Sequence, residues 1–167
     1  MQKFNTKTLV LMAMLTALEI VLSRFLSISA WNTKIGFAFV PVVLAALLLG
    51  SLYAGLVAAL ADFLGAILFP IGAYFPGFTL TAFLMGLAYG LFLYRGQSFR
   101  RILGAVLVHQ LVLSLLLNTL WISVLYGSPF TPLLLTRLPQ CVILAAVQLA
   151  VIPLLARLAS RLKSVMP

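Results

Sequence analysis

Long apolar stretches alternate with short polar interruptions along almost the whole of this chain. Most of the stretches approach the roughly 20 residues that an α-helix needs to cross the hydrocarbon core of a bilayer. The pattern therefore predicts an all-α membrane protein with six transmembrane helices. The predicted spans are residues 7–28, 38–49, 52–69, 77–94, 102–125 and 132–156.

The segment FPIGAYFPGF, Phe69 to Phe78, is the most irregular interruption of this pattern. It contains two prolines, two glycines and four aromatic rings. A bilayer tolerates irregular backbone only where protein or a water-lined cavity satisfies the amide groups. The segment therefore predicts a stiff aromatic loop that covers a flat ligand, with Tyr74 and Phe75 as stacking surfaces. This segment is called the aromatic bend below.

Composition narrows the class of protein further. Hydrophobic residues make up 64% of the chain and charged residues 8%, whereas an ordinary soluble domain is about 25% charged. Six spans would use nearly all of the 167 residues, which leaves no room for a soluble catalytic domain. We therefore expect a single integral-membrane domain over residues 1–167.

The net charge of +9 is unevenly distributed across the predicted topology. Eight basic residues lie on one side of the membrane, and the three others, Arg24, Lys34 and Arg137, lie towards the opposite side. An excess of Lys and Arg marks cytoplasmic loops, so both termini are predicted to be cytoplasmic. The eight basic residues then serve as topology signals and contacts to membrane lipid, and we expect no nucleic-acid partner.

Several polar side chains fall at a similar depth in four different predicted helices. A charge near the bilayer centre costs about 2.5–3.5 kcal/mol on insertion scales, so such residues are functional candidates. Asp62 belongs to a stripe of small residues in the third span, and the fifth span carries Gln110, Ser114, Asn118 and Trp121 on one stripe. The candidate ligand-binding residues are Arg24, Lys34, Asp62, Tyr74, Phe75, Asn118, Trp121, Arg137 and Gln140.

Most of these residues also have a structural interpretation. Arg24 and Lys34 are typical of boundary residues whose long side chains reach the interface. Tyr74 and Trp121 are typical of an interfacial aromatic belt. Asp62 is harder to explain in this way, because a lone carboxylate among small apolar residues needs a partner.

Two further polar residues are expected outside the ligand site. Glu19 lies near the middle of the first span and is interpreted as an internal packing or hydrogen-bonding group. His109 lies near the cytoplasmic start of the fifth span and is expected at the interface.

The candidate residues indicate the chemistry of a ligand. Three basic groups favour an anion, Asp62 favours hydrogen-bond donors, and the aromatic rings favour a flat surface. A molecule with an amino-heterocycle at one end and carboxylates at the other fits all three requirements.

Motifs for chemical turnover are missing from the sequence. It contains no GxxxxGK[ST], HExxH or GxSxG pattern and no cluster of His, Cys and carboxylate residues. ATP hydrolysis by the usual route and proteolytic or metal-dependent catalysis are therefore unsupported. We expect no catalytic residue, metal or cofactor. Only two carboxylates occur in the chain, which disfavours a self-powered proton antiporter.

Four segments resemble the substrate-binding (S) components of energy-coupling factor (ECF) vitamin transporters, and specifically the folate-specific members. They are LSRFLSI at 22–28, KIGFAFVPVVL at 34–44, ADFLGAILFPIGAYFPGFTL at 61–80 and GLAYG at 86–90. With the hydrophobic layout, the resemblance covers essentially the whole chain. It departs from many relatives at Gly50-Ser51, where Gly-Pro is expected.

The resemblance implies a six-helix protein of the prokaryotic cell membrane that captures folate from outside. It also implies association with a transmembrane coupling subunit and two cytoplasmic ATPases. Ala13 and Ala17 match the AxxxA motif through which such proteins contact the coupling subunit. Arg24 falls within about 20° of Ala13 around the helix. We therefore expect either a bend after Ser23 or an Arg24 side chain that reaches round into the loop, and we favour the side chain.

Other functions remain open from the residues alone. One is an S component for another vitamin, such as thiamin or riboflavin, although three basic groups favour a dianionic ligand over cationic thiamin. Another is a self-sufficient secondary transporter or a small membrane enzyme.

Overall fold

A computed structural model describes residues 5–30 and 33–165 of the chain. The described part is almost entirely helical, which confirms the predicted helical class. The elements are α1 (Thr6–Arg24), β1 (Ser27–Ala30), β2 (Thr33–Gly36), α2 (Phe39–Leu48), α3 (Ser51–Leu68), α4 (Pro76–Leu93), α5 (Phe99–Leu107), a π-helical segment (Val108–Leu117), α6 (Asn118–Tyr126) and α7 (Phe130–Val165).

Five helical stretches are long and apolar enough to cross a membrane. They are Thr6–Arg24, Ser51–Leu68, Pro76–Leu93, Phe99–Tyr126 and Phe130–Leu162. They correspond to the first, third, fourth, fifth and sixth predicted spans. The second predicted span, residues 38–49, contains only the ten-residue helix α2.

Helix α2 lies at the centre of the bundle and forms much of its core. It contacts α1, α3, α4 and α7. Ten residues extend about 15 Å, half the thickness of the hydrocarbon core. A helix surrounded by protein on all sides need not match that thickness. Its buried residues are Phe39, Pro41, Val42, Val43, Ala45, Ala46, Leu47 and Leu48.

A β-hairpin replaces the predicted end of the first span. Helix α1 ends at Arg24 rather than at residue 28, and β1 then pairs antiparallel with β2. Near the helix end, the Ser27 hydroxyl donates to the Ser23 carbonyl at 2.6 Å. Such a bond satisfies a carbonyl that the helix leaves without a partner. A Cβ at Gly36 would lie 2.8 Å from the Ser27 Cβ, so the pairing needs glycine there.

Helices α3 and α4 pack with their backbones in close approach. Gly86 lies against the backbone of Ala54 and Gly55, and Gly90 lies against the backbone of Ser51. Any Cβ at either glycine would overlap these atoms. The GxxxG pair of the fourth span therefore serves close packing within the molecule.

The fifth predicted span, residues 102–125, contains an unpredicted feature. Residues 108–117 form a π-helical segment between α5 and α6. π-Helical turns are rare and are often found at functional sites. This segment carries two buried polar residues, Gln110 and Ser114.

Candidate ligand-binding cavity

A cavity of about 200 Å³ lies inside the helical bundle. It is bounded by side chains from α1, α2, α3 and α4, the π-helical segment, α6 and α7. Five of the predicted ligand-binding residues line it: Arg24, Asp62, Asn118, Arg137 and Gln140. The structure thus brings together polar groups from four separate predicted spans.

Arg137 is a buried charged residue of the site. Its side chain projects from α7, and the residue is only 5% accessible. Its Nε and Nη1 atoms are buried and have no hydrogen-bond partner within residues 5–30 and 33–165. Burying a charge is costly unless it is paired and hydrogen-bonded. The cavity therefore presents a positive charge that an anionic ligand group would compensate.

Arg24 reaches the same cavity from the end of α1. Helix α1 continues through Arg24, and the side chain crosses to α3 rather than into the loop. Its Nη2 donates to the Asp62 carbonyl at 3.4 Å and lies 3.9 Å from Asp62 Oδ1. The guanidinium lies close against Gly65, where a Cβ would come within 2.8 Å of Nε. The glycine therefore makes room for Arg24 beside α3.

Asp62 connects the cavity to the start of α4. Its side chain is 27% accessible, and its Oδ2 accepts a hydrogen bond from the Thr79 hydroxyl at 2.8 Å. The Thr79 oxygen also lies 3.3 Å from the Tyr74 hydroxyl. Asp62 therefore has the partner that its position in the third span demanded, and this partner leads to the aromatic bend.

Neutral amides supply further hydrogen-bonding groups around the cavity. Asn118 Oδ1 and Gln110 Oε1 are buried acceptors, and neither has a partner in the described part of the chain. Gln140 is also buried and lines the same space. The site thus combines guanidinium donors with amide groups that can both donate and accept.

The lining also contains part of a polar cluster that the sequence did not predict. The Tyr89 hydroxyl lies 2.8 Å from His109 Nδ1 and donates to Gln148 Oε1 at 3.0 Å. His109 and Gln148 line the cavity. His109 is thus hydrogen-bonded within the bundle, and its expected position at the membrane interface stays a prediction. Glu19 is buried as expected, and it also lines the cavity.

The predicted aromatic surfaces lie beside the cavity rather than in its lining. The Phe75 and Trp121 rings are 5.6 Å apart, and Trp121 Nε1 donates to the Thr81 hydroxyl at 2.9 Å. Tyr74 packs edge-on against Phe63, with ring centroids 5.8 Å apart. Lys34 belongs to β2, and its side chain lies outside the described residues.

Sequence reasoning missed Thr79 and Gln148 as members of this site. Gln148 had a detectable signal, because Arg137, Gln140 and Gln148 recur at helical spacing on one face of α7. Thr79 had none, because a single hydroxyl early in an apolar span is common. Its proximity to Asp62 depends on how α4 packs against α3.

Comparison with known proteins agrees with this architecture. The family profile described as ECF transporter, substrate-specific component, matches residues 7–156. The chain is 42% identical over 153 residues to the folate transporter FolT of Clostridium novyi, which covers 91% of this chain and 88% of the relative.

Two solved structures share the fold. The first is FolT bound with folic acid, at a TM-score of 0.87 and 36% identity, covering 92% of this chain and 94% of that one. The second is the S component for biotin from an ECF-type ABC transporter, at a TM-score of 0.68 and 18% identity, covering 94% of each chain. At that identity the second likeness concerns the fold alone. The chain belongs to the substrate-specific components of ECF transporters, which confirms the resemblance seen in the sequence.

Proposed function

We propose that this chain is the folate-specific S component of an ATP-driven ECF uptake transporter in a prokaryotic cell membrane. The observation that carries the proposal is the buried Arg137, which lines the polar cavity and whose Nε and Nη1 have no hydrogen-bond partner among the described residues. The 42% identity to a protein named folate transporter FolT supports folate as the ligand. The protein binds its ligand without chemical change.

The proposed site offers folate basic, acidic, amide and aromatic groups. Arg24 and Arg137, with Lys34, bind the glutamate carboxylates or polar pterin atoms through charge-assisted hydrogen bonds. Asp62 accepts hydrogen bonds from the pterin, and Asn118 and Gln140 complete the polar lining. Tyr74, Phe75 and Trp121 offer flat surfaces on the side of the aromatic bend.

The cavity volume adds a condition to this proposal. Ligand pockets usually measure about 300–1,000 Å³, and this cavity measures about 200 Å³. The cavity is partly open to its surroundings, so we propose that part of folate extends beyond this volume.

We propose six crossings, cytoplasmic termini and a single domain over residues 1–167. Termini on one side of the membrane require an even number of crossings. The five long helices provide five crossings, and α2 with the preceding hairpin provides the sixth. Charge supports this orientation. Among the three basic residues assigned to the outer side, Arg24 and Arg137 line the cavity. The exposed ones assigned to the cytoplasmic side are Lys7, Arg95, Arg100, Arg101, Arg157 and Arg161.

The proposed partners are a transmembrane coupling subunit and two cytoplasmic ATPases. Ala13 and Ala17 are both exposed on α1, where small side chains allow another helix to approach closely. Large apolar side chains exposed beside them, such as Leu9, Val10 and Met14, extend the same surface. We propose that this surface of α1 contacts the coupling subunit.

Vitamin binding by the purified protein tests the proposed function. We expect nanomolar retention of labelled folate, equivalent to about −12 kcal/mol, and much weaker retention of thiamin, riboflavin and biotin. Only millimolar affinity for every folate would contradict the proposal. Uptake by this chain alone into ATP-depleted vesicles would instead support a secondary transporter.

A further inference from the structure

Thr79 occupies a connecting position between the aromatic bend and the cavity. It is half-buried in the first turns of α4. Its hydroxyl donates to Asp62 Oδ2 at 2.8 Å and lies 3.3 Å from the Tyr74 hydroxyl. A single hydroxyl thus contacts both the cavity carboxylate and a ring of the bend.

The two oxygens of Asp62 have unequal partners. Oδ2 accepts the short bond from Thr79, whereas Oδ1 is 3.9 Å from Arg24 Nη2. A closed, bidentate guanidinium–carboxylate pair has N···O distances of about 2.7–2.9 Å. The Arg24–Asp62 pair is therefore open, although the two side chains are neighbours.

An open pair leaves donors of Arg24 for another acceptor. Arg24 Nε is buried and has no hydrogen-bond partner in the described segments, and Arg24 and Asp62 both line the cavity. If the Asp62 carboxylate turned to form a bidentate pair, it would occupy donors of Arg24 that it does not bind in this structure. The orientation of the carboxylate thus determines whether Arg24 can bind a ligand.

The position of Thr79 is set by rigid packing. Helix α4 begins at Pro76, and a Cβ at Gly77 would lie 2.6 Å from the Trp121 ring. Further along, Gly86 and Gly90 hold the backbone of α4 against that of α3. Thr79 and Asp62 therefore project from two helices whose separation is fixed by backbone contact.

We propose that Thr79 is a positioning residue of the ligand site. Its hydroxyl holds the Asp62 carboxylate away from a closed pair with Arg24, which keeps the guanidinium available to an anionic or acceptor group of the ligand. The inference rests on the proposed function, since it assigns a role in binding at the same cavity.

A pair of substitutions separates the hydroxyl from the shape of the side chain. Thr79→Val keeps the branched shape and removes the hydrogen bond, whereas Thr79→Ser keeps the hydroxyl. We expect Thr79→Val to raise the folate Kd about tenfold, the order of one lost hydrogen bond, and Thr79→Ser to remain within about threefold of wild type. Thr8→Val, on α1 far from the cavity, is the matched control and should bind normally.

Two further measurements distinguish positioning from a general structural role. The melting temperature of ligand-free Thr79→Val should not fall, because a closer Arg24–Asp62 pair replaces the lost bond. In an Asp62→Asn background, Thr79→Val should have little added effect on Kd, because no ion pair can close.

Several outcomes would overturn the inference. One is wild-type folate affinity in Thr79→Val, and another is an equal loss of affinity in Thr79→Val and Thr79→Ser. A third is a lowered melting temperature of ligand-free Thr79→Val together with a fully additive effect on Kd in the Asp62→Asn background. Wild-type protein that binds thiamin, riboflavin or biotin instead of folate would refute only the proposed function. The same comparison would then be made with that vitamin. Wild-type protein that binds none of them would contradict both.

Discussion

Arg137 shows how one residue can define the chemistry of a cavity. It is the one charged residue of the sixth predicted span, residues 132–156, and burial removes the water that would solvate it. Its Nε and Nη1 atoms have no hydrogen-bond partner in the described part of the chain. In the proposed site, a ligand carboxylate would supply these hydrogen bonds and compensate the buried charge.

Removing this charge should weaken folate binding strongly. Hydrogen bonds to charged groups contribute about 1.5–3 kcal/mol, so Arg137→Gln should raise the Kd by roughly 10- to 150-fold in equilibrium binding. Arg157→Gln removes an exposed arginine from the same helix and should leave the affinity unchanged. Equal affinity in both variants would show that Arg137 does not contact the ligand.

Asp62 contributes the opposite charge at the same site. Asp62→Asn replaces one acceptor oxygen by an amide that donates, which mismatches the donors of an amino-heterocycle. We expect weaker folate binding at a normal expression level, measured on purified protein. Unchanged affinity would mean that Asp62 does not contact the ligand and serves only to bind Thr79 of α4.

At the scale of elements, the close packing of α3 against α4 sets the relative positions of Asp62 and Thr79. Only the structure shows that Gly86 and Gly90 lie against the backbone of α3. The hairpin and the π-helical segment were not predictable in the same way. Short strands beside an apolar span and a change of helical hydrogen-bonding leave no distinct hydrophobic period.

Adding a side chain to this helix pair should destabilise the protein. Gly90→Leu places a side chain where the Ser51 backbone now lies, and overpacking typically costs about 1–3 kcal/mol. We expect a melting temperature lower by roughly 2–12 °C in detergent. Ala146→Leu adds a larger side chain at an exposed position of α7 and should leave it unchanged. An unaltered melting temperature in Gly90→Leu would contradict the close packing.

At the scale of the whole molecule, the proposed ligand cavity and the proposed partner surface lie apart. The polar cavity lies between the helices, whereas Ala13 and Ala17 are exposed on α1. Arg24 lies at the end of the same helix, and its side chain extends to α3. One helix can therefore serve both a ligand site and a partner surface.

This separation predicts variants that bind but do not transport. Ala13→Trp and Ala17→Trp should leave the folate Kd of the isolated protein near that of wild type, because neither alanine lines the cavity. ATP-driven uptake with the coupling module should fall sharply, because the bulky ring prevents close helix approach. Leu91→Trp changes an exposed position on α4 and should transport normally. Wild-type uptake in both alanine variants would exclude this surface of α1 as the docking site, and equal loss of binding would mean that the pair supports the cavity.

The sequence by itself determined the helical membrane class, five of the long spans and the family. The class and the spans follow from local hydrophobic runs. The family follows from contiguous motifs such as residues 61–80. It also predicted a similar depth for Arg24, Asp62, Asn118, Arg137 and Gln140, because depth follows from position along a span, and these five residues line one cavity.

Only the tertiary structure decided which of these side chains share a cavity, that Phe75 and Trp121 pack beside it, and that Thr79 reaches Asp62. Rotation of each helix about its axis, the termination of α1 at Arg24 and the close approach of α3 and α4 determine these contacts. They depend on the packing of residues far apart in the chain, which no single span encodes.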